Sequence, residues 1–260
     1  LKTGFVGTPL MNNILTDNGM NDLAYELLLN EEFPGWLYEV KLGATTVWER
    51  WNSLLPDGTI SGISMNSMNH YSYGSVLEWM FRHVAGINTS EKHPGVKSLT
   101  LEPTLNWDLR HVDASYDSPS GEYRLSWKLA DKKHVAVTMD VPFDCTAKVI
   151  LPLLPEAEKE AARKVFGKDI DGVYTVETGH YEISYELEKE LGKSYSIDTP
   201  LRVLLMDEKV KEYLQNMLHM PDIPNQYKDF SIREMTEKFA GHMSEEQIQE
   251  INAKLAKFSD

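Results

Sequence analysis

The chain has 260 residues, 42% of them hydrophobic, which is enough for one large domain or two to three small ones and argues against disorder along its whole length. Forty acidic against 26 basic side chains give a formal charge of −14, a field that repels phosphate backbones and anionic lipid, so neither nucleic-acid nor membrane partners are expected. Cys145 is the single cysteine, which excludes an internal disulfide and suits a reducing, cytoplasmic compartment; no stretch approaches the roughly 18 uninterrupted apolar residues of a membrane span.

From Leu1 to about Gly86 apolar residues recur at helical spacing. Leu10, Ile14 and Leu15 share one face, then Leu23, Leu27 and Leu28, then Val76, Leu77, Met80 and Val84. Among these helices stands Gly43-Ala44-Thr45-Thr46-Val47-Trp48-Glu49-Arg50-Trp51, which brackets one carboxylate with two indoles. Sugar chemistry uses that combination: indole faces stack on the C–H faces of a pyranose and keep water out. A carboxylate among them can serve as general base or as nucleophile at the anomeric carbon. The same Trp-x-x-Trp spacing also suits core packing, and Glu49 beside Arg50 also suits a solvated pair. If this run is helical, Trp48 lies about 100 degrees around from Glu49 and faces the core.

From about Val96 to Glu188 the period changes to two. Val96–Leu101, Gly121–Trp127, His134–Met139, Thr146–Leu151, Gly172–Val176 and Tyr181–Tyr185 read as half-buried strands. Ser118-Pro119-Ser120-Gly121, Pro142-Phe143-Asp144 and Gly179-His180 read as turns between them, and the whole as an antiparallel sandwich. The last zone is helical again. Thr199-Pro200, Ser231-Ile232-Arg233-Glu234 and Ser244-Glu245-Glu246-Gln247 are helix starts, and predict helices over about 200–219, 231–240 and 244–258.

Five patches stand in register in the first zone: Thr3-Gly4-Phe5-Val6-Gly7-Thr8-Pro9, Asp22-Leu23-Ala24-Tyr25-Glu26-Leu27-Leu28, Phe33-Pro34-Gly35-Trp36-Leu37-Tyr38, Trp48-Glu49-Arg50-Trp51 and Met68-Asn69-His70-Tyr71-Ser72-Tyr73-Gly74. Their order and spacing closely resemble the last part of the catalytic domain of bacterial α-L-rhamnosidases, glycoside hydrolase family 78, and the Ser-Pro-x-Gly turn before the strand ending in Trp127 resembles the C-terminal β-domain of the same hydrolases. The resemblance covers residues 3 to about 190. It implies an α+β chain, with the end of an (α/α)6 toroid over residues 1–93 and an antiparallel β-sandwich over 94–190; the capping residues beyond it add a helical extension over 191–260. It further implies hydrolysis of terminal α-L-rhamnosides with inversion, without a cofactor, and with Glu49, the glutamate of the family's WERW motif, as general base. His70 stands in the patch resembling the family's Asn-His motif beside the active site, where an imidazole can donate to a sugar hydroxyl; a structural histidine satisfied by backbone is the alternative. Trp36 and Tyr38 are the further candidates for contact with rhamnose-containing glycosides.

An inverting glycosidase needs a second carboxylic acid roughly 6.5–9.5 Å from the base, so that a water fits between. In the resembled family that acid lies upstream of the region matched, and the chain opens on Leu1, so it is expected to be the C-terminal portion of a longer polypeptide that carries the base but not the acid. A toroid of this class uses about twelve helices in two rings, so the apolar faces of the few present here are expected to be exposed or covered by self-association into a homo-oligomer. Two other readings stay open: a different (α/α)6 sugar hydrolase or phosphorylase, and a non-catalytic carbohydrate-binding sandwich with a helical linker. The eight histidines are scattered and no His-Glu-x-x-His, paired cysteine, phosphate-cradling loop or Gly-x-Ser-x-Gly elbow occurs, so no metal site is expected.

Overall fold

The computed structural model describes residues 3–89, 96–192, 195–218, 220–239 and 241–258. Two packed units divide the chain, Leu1–Leu191 and Gly192–Asp260. The expected boundary at residues 93 and 94 and the expected helix ends at 219 and 240 lie outside the described residues.

The first unit opens with helices α1 (Gly4–Asp17), α2 (Asn21–Leu29) and α3 (Trp36–Lys41). A fourth, α4 (Val76–Trp79), continues as a π-helical stretch over Met80–Ala85. On α1 the usual arrangement is inverted. Thr8 and Asn12 are its buried residues, with the Asn12 amide donating to the Ala24 carbonyl at 3.0 Å, while Leu10 and Ile14 are each 55% exposed. The expected exposed apolar face is therefore present. Behind α1 the core holds Tyr25, Trp36, Trp51, Tyr73 and Trp79; the Trp79 indole meets Tyr25 edge-on at 5.3 Å and donates to the Thr16 hydroxyl at 2.8 Å.

The helical reading of the Trp48–Trp51 run does not hold. Gly43 takes the left-handed φ of +86° that ends α3, its N–H bonding the Val40 carbonyl at 2.9 Å, and residues 44–71 contain no helix. The separation of about 100 degrees between Trp48 and Glu49 therefore has no basis, although Trp48 is buried all the same, as is Trp36.

Strands β1 (Ile87–Asn88), β2 (Ser98–Leu101), β3 (His111–Ser118), β4 (Gly121–Leu129), β5 (His134–Val141) and β6 (Thr146–Val149) follow, then α5 (Lys159–Phe166), β7 (Asp169–Ile170), β8 (Val173–Val176) and β9 (Gly179–Glu186). They form two sheets, ordered β3-β4-β5-β9 and β1-β2-β6-β8-β7. Tyr123, Leu125, Trp127 and Leu129 of β4 and Val135, Val137, Met139 and Val141 of β5 alternate inward, filling the space between the sheets. One pairing departs from the expected antiparallel pattern: β2 and β6 run parallel, because the β3–β5 meander in the other sheet separates them and supplies the crossover. Gly179-His180, expected as a turn, opens strand β9 instead.

The helices and the sandwich share one seam. β1 precedes residue 93 yet pairs with β2 beyond it, Ile87 opposite Leu101. The Trp127 indole donates to the Val84 carbonyl at 2.9 Å, and the Tyr25 hydroxyl donates to the Thr104 carbonyl at 2.6 Å. At the end of the π-helical stretch Gly86 has φ +81°, and a Cβ there would stand 2.2 Å from the Pro103 nitrogen, so only glycine lets β1 leave the helix this close to the β2–β3 connection.

The second unit contains α6 (Leu201–Leu204), α7 (Glu208–Leu218), α8 (Ile232–Phe239) and α9 (Glu245–Ala256) around Ile197, Leu201, Leu204, Val210, Leu214 and Leu255. Both capping boxes form: the Ser231 and Ser244 hydroxyls accept from the Glu234 and Gln247 amides at 3.2 Å each. Thr199 does not cap a helix. Its hydroxyl accepts from the Ser196 amide, and the helix expected over 200–219 is interrupted before Asp207, whose carboxylate accepts from the Lys209 amide at 2.9 Å and starts α7. Among the described residues no helix is long and apolar enough to cross a membrane.

Candidate active site

Because Gly43 stops α3, the chain from Ala44 onward lies across a second irregular segment, and hydrogen bonds fix the two together. The Glu49 amide donates to the Ser67 carbonyl at 2.9 Å, the His70 amide donates to the Val47 carbonyl at 2.8 Å, and the Thr46 hydroxyl donates to the Met68 carbonyl. Two residues 21 positions apart in sequence, Glu49 and His70, are thereby carried on adjoining backbones.

Glu49 is half-buried. Its Oε2 accepts from the Ser67 amide at 2.8 Å, a bond to a charged acceptor that fixes the carboxylate's direction. Its Oε1 has no hydrogen-bond partner among the described residues. Arg50 does not neutralise it, since that guanidinium donates to the Ser64 carbonyl at 2.9 Å. A carboxylate held by one oxygen and free at the other has the form a general base requires.

His70 is sandwiched between two rings, Phe5 at 4.9 Å and Tyr71 at 5.3 Å between centroids. Its Nδ1 accepts from the Ser72 amide at 3.3 Å, so in the neutral imidazole the proton sits on Nε2 and that nitrogen is the donor. Phe5 also packs on Tyr73, Tyr73 stacks flat on Trp51 at 3.9 Å, and Trp51 meets Trp36 edge-on at 5.1 Å. One run of aromatic contacts thus leads from the core at Trp36 to Tyr71, which is 87% exposed.

Trp36 and Tyr38, expected to contact sugar, are packed into the protein instead. Trp36 is 9% exposed with its indole N–H donated to the Tyr73 carbonyl, and Tyr38 is 8% exposed with its hydroxyl directed at the Leu54 carbonyl. Trp48 and Trp51 are buried as well, so the indoles flanking Glu49 back the segment rather than line a platform.

Glu39 was not singled out by sequence. It sits on α3 within Trp36-Leu37-Tyr38-Glu39-Val40, where an acid among apolar positions was the available signal. Its Oε2 accepts from the Trp48 amide at 3.3 Å, and burial pushes the carboxyl up to about 7 against the pull of that bond. The Tyr73 phenol is pushed up too, first by its own burial and then by the Glu39 charge. Among the described residues no group of three or more His, Cys, Asp or Glu side chains is placed to hold a metal ion.

Comparison with known proteins bears on this geometry. The bacterial alpha-L-rhamnosidase 6 hairpin glycosidase domain matches residues 1–84, and the bacterial alpha-L-rhamnosidase C-terminal domain matches residues 86–166. Over residues 1–166 the chain belongs to the bacterial α-L-rhamnosidases. An alpha-L-rhamnosidase of Alteromonas sp. (strain LOR) is 40% identical over 153 residues, covering 58% of this chain and 16% of that protein. One of Streptomyces avermitilis is 37% identical over 179 residues, covering 69% and 17%. Among solved structures, the Streptomyces avermitilis alpha-L-rhamnosidase complexed with L-rhamnose superposes with a TM-score of 0.61 at 34% identity, covering 70% of this chain and 18% of that one. The Aspergillus terreus alpha-L-rhamnosidase follows with a TM-score of 0.59 at 30% identity, covering 72% and 20%. The chain thus spans about a sixth of the length of the curated rhamnosidases it matches.

Proposed function

We propose that this chain supplies the general-base half of an inverting α-L-rhamnosidase acting on terminal α-L-rhamnosides. The observation that carries this reading is the Glu49 carboxylate, held at Oε2 by the Ser67 amide and free at Oε1, on a segment bonded to the one that bears His70. Ionised Glu49 takes a proton from a water on the face of the sugar opposite the leaving group, and that water attacks the anomeric carbon. The His70 Nε2–H donates to a sugar hydroxyl and the exposed Tyr71 ring offers a face for the sugar's C–H groups. The acid that protonates the departing oxygen stands roughly 6.5–9.5 Å from the base in such enzymes. We assign it to the part of the rhamnosidase catalytic domain that the relatives possess beyond the span matched here.

The test is Glu49→Gln in the complete enzyme with an aryl α-L-rhamnoside. The amide keeps the Ser67 bond but cannot accept the proton, so kcat should fall by about 10²–10⁴. Azide, which needs no base, should restore part of the rate and give a glycosyl azide of inverted configuration. Near-full kcat in this variant would remove Glu49 from the chemistry.

A further inference from the structure

Glu39 is the one buried acidic side chain among the described residues, 3% exposed. It lies on α3 behind the segment that carries Glu49. One of its oxygens accepts from the Trp48 amide; the other, Oε1, is sealed from solvent and has no partner. No lysine, arginine or histidine pairs with it among the described residues. On its own helix Lys41 is turned to Glu31 and Glu32, at 3.2 and 3.4 Å. On the segment packed against it Arg50 is committed to the Ser64 carbonyl, and from the turn before α4 the titratable group facing it is the Tyr73 phenol.

A carboxylate sealed in this way without a cation is strongly disfavoured against its neutral acid. An apolar side chain in its place would be equally unsuitable, because the buried Trp48 amide would then lose its acceptor. The neutral acid satisfies both demands. Trp48 immediately precedes Glu49, so whatever fixes the Trp48 amide also fixes the backbone from which the catalytic carboxylate is aimed.

We propose that Glu39 is a positioning residue for Glu49: in its neutral form, its carboxyl group anchors the Trp48 amide to α3 and so sets the aim of the Glu49 carboxylate. The proposal rests on the assignment of Glu49 as base. It carries a pH signature whose sign follows from linkage. The folded carboxyl is raised from the ordinary 4.5 to about 7, so between these values the folded chain keeps a proton that the unfolded chain has released. The stability it contributes is fully present below the unfolded value, is lost as pH rises to about 7, and stays constant beyond.

Glu39→Gln and Glu39→Leu, made in the complete enzyme and in the 260-residue chain, test this. The amide mimics the neutral acid. Glu39→Gln should hold kcat within about twofold, since the acceptor for the Trp48 amide survives, and should flatten the decline in melting temperature between about pH 5 and pH 8. Glu39→Leu should lower kcat by about tenfold to a hundredfold with KM little changed, because a base misaimed by a fraction of an ångström loses the attack geometry and not the binding of substrate. Full kcat in both variants would overturn the positioning role. Equal loss in both, or an unchanged pH dependence of melting in Glu39→Gln, would overturn the neutral form. The melting curves need no substrate, so they report on Glu39 even if Glu49→Gln keeps its turnover, an outcome that would sink the assignment of Glu49 alone.

Discussion

Along β4, Tyr123, Leu125, Trp127 and Leu129 point inward at every second residue, and along β5 Val135, Val137, Met139 and Val141 do the same. Between Ala44 and Tyr71 no such rhythm exists. There the path of the chain is set by amide-to-carbonyl bonds such as Glu49 to Ser67 and His70 to Val47, by the Ser67 amide on the Glu49 carboxylate, and by the Asn66 amide, which donates to the Ser53 and Gly62 carbonyls at 3.2 and 2.8 Å. The sandwich gains its stability by burying side chains; the site segment gains its shape from polar groups paired across it. Substitutions should therefore separate cleanly, with chemistry lost in one region and stability in the other.

The widest separation is expected at Glu49. Glu49→Gln should lower kcat by about 10²–10⁴ while the melting temperature of the chain barely moves, because the half-buried side chain keeps its bond to the Ser67 amide. A large fall in melting temperature would break the comparison, since it would make Glu49 a structural residue. Trp127 is the converse. Trp127→Ala empties a fully buried site and leaves the Val84 carbonyl without its indole donor, so denaturant unfolding should register a loss of about 3–5 kcal/mol. A loss below about 1 kcal/mol would mean that the two sheets close over the gap.

A smaller effect is expected at His70. His70→Ala removes one donor to the sugar, worth about 0.5–1.5 kcal/mol, so kcat/KM should fall by up to about tenfold. The loss should be shared between kcat and KM if the bond strengthens toward the transition state; a variant that melts early but keeps kcat/KM would return His70 to the structural reading. Tyr71→Ala should change stability by no more than about 0.5 kcal/mol, as for other exposed positions. If its ring serves the sugar, KM alone should rise by a few fold, and an unchanged KM would remove Tyr71 from the site.

The difference between the regions also governs what was legible in the sequence. Alternation marked β2, β4, β5, β6, β8 and β9, because each strand turns one face to the core and the other outward. It did not mark β3, whose inner residues Val112, Ala114 and Tyr116 alternate with charged and polar ones but are only half-buried, nor α5, which lies between strands. The capping boxes at Ser231 and Ser244 were legible because side chain and amide partner are three residues apart. Glu49 and His70 were marked by the motifs around them. Their juxtaposition was not, since it depends on backbone bonds between segments about twenty residues apart, for which the amino-acid letters carry no periodic signal. The burial of Trp36 and Tyr38 was not legible for the same reason: a local aromatic pattern does not tell which rings will pack edge-on against Trp51 and Phe33.

The seam around Gly86 has an evolutionary consequence. The two family domains meet between residues 84 and 86, which invites the view that helical domain and sandwich are interchangeable modules joined at that point. The atoms at the joint do not permit it. The last carbonyl of the first domain serves the central tryptophan of the second, and the glycine that begins the second has no room for any larger residue against Pro103. A gene fusion that brought this sandwich to an unrelated helical partner would have to recreate a left-handed glycine, a free helix carbonyl and the short strand after it, all at once. Replacing either domain by an unrelated one should therefore cost stability unless Gly86, the Val84 carbonyl and the short strand after them are carried across with it.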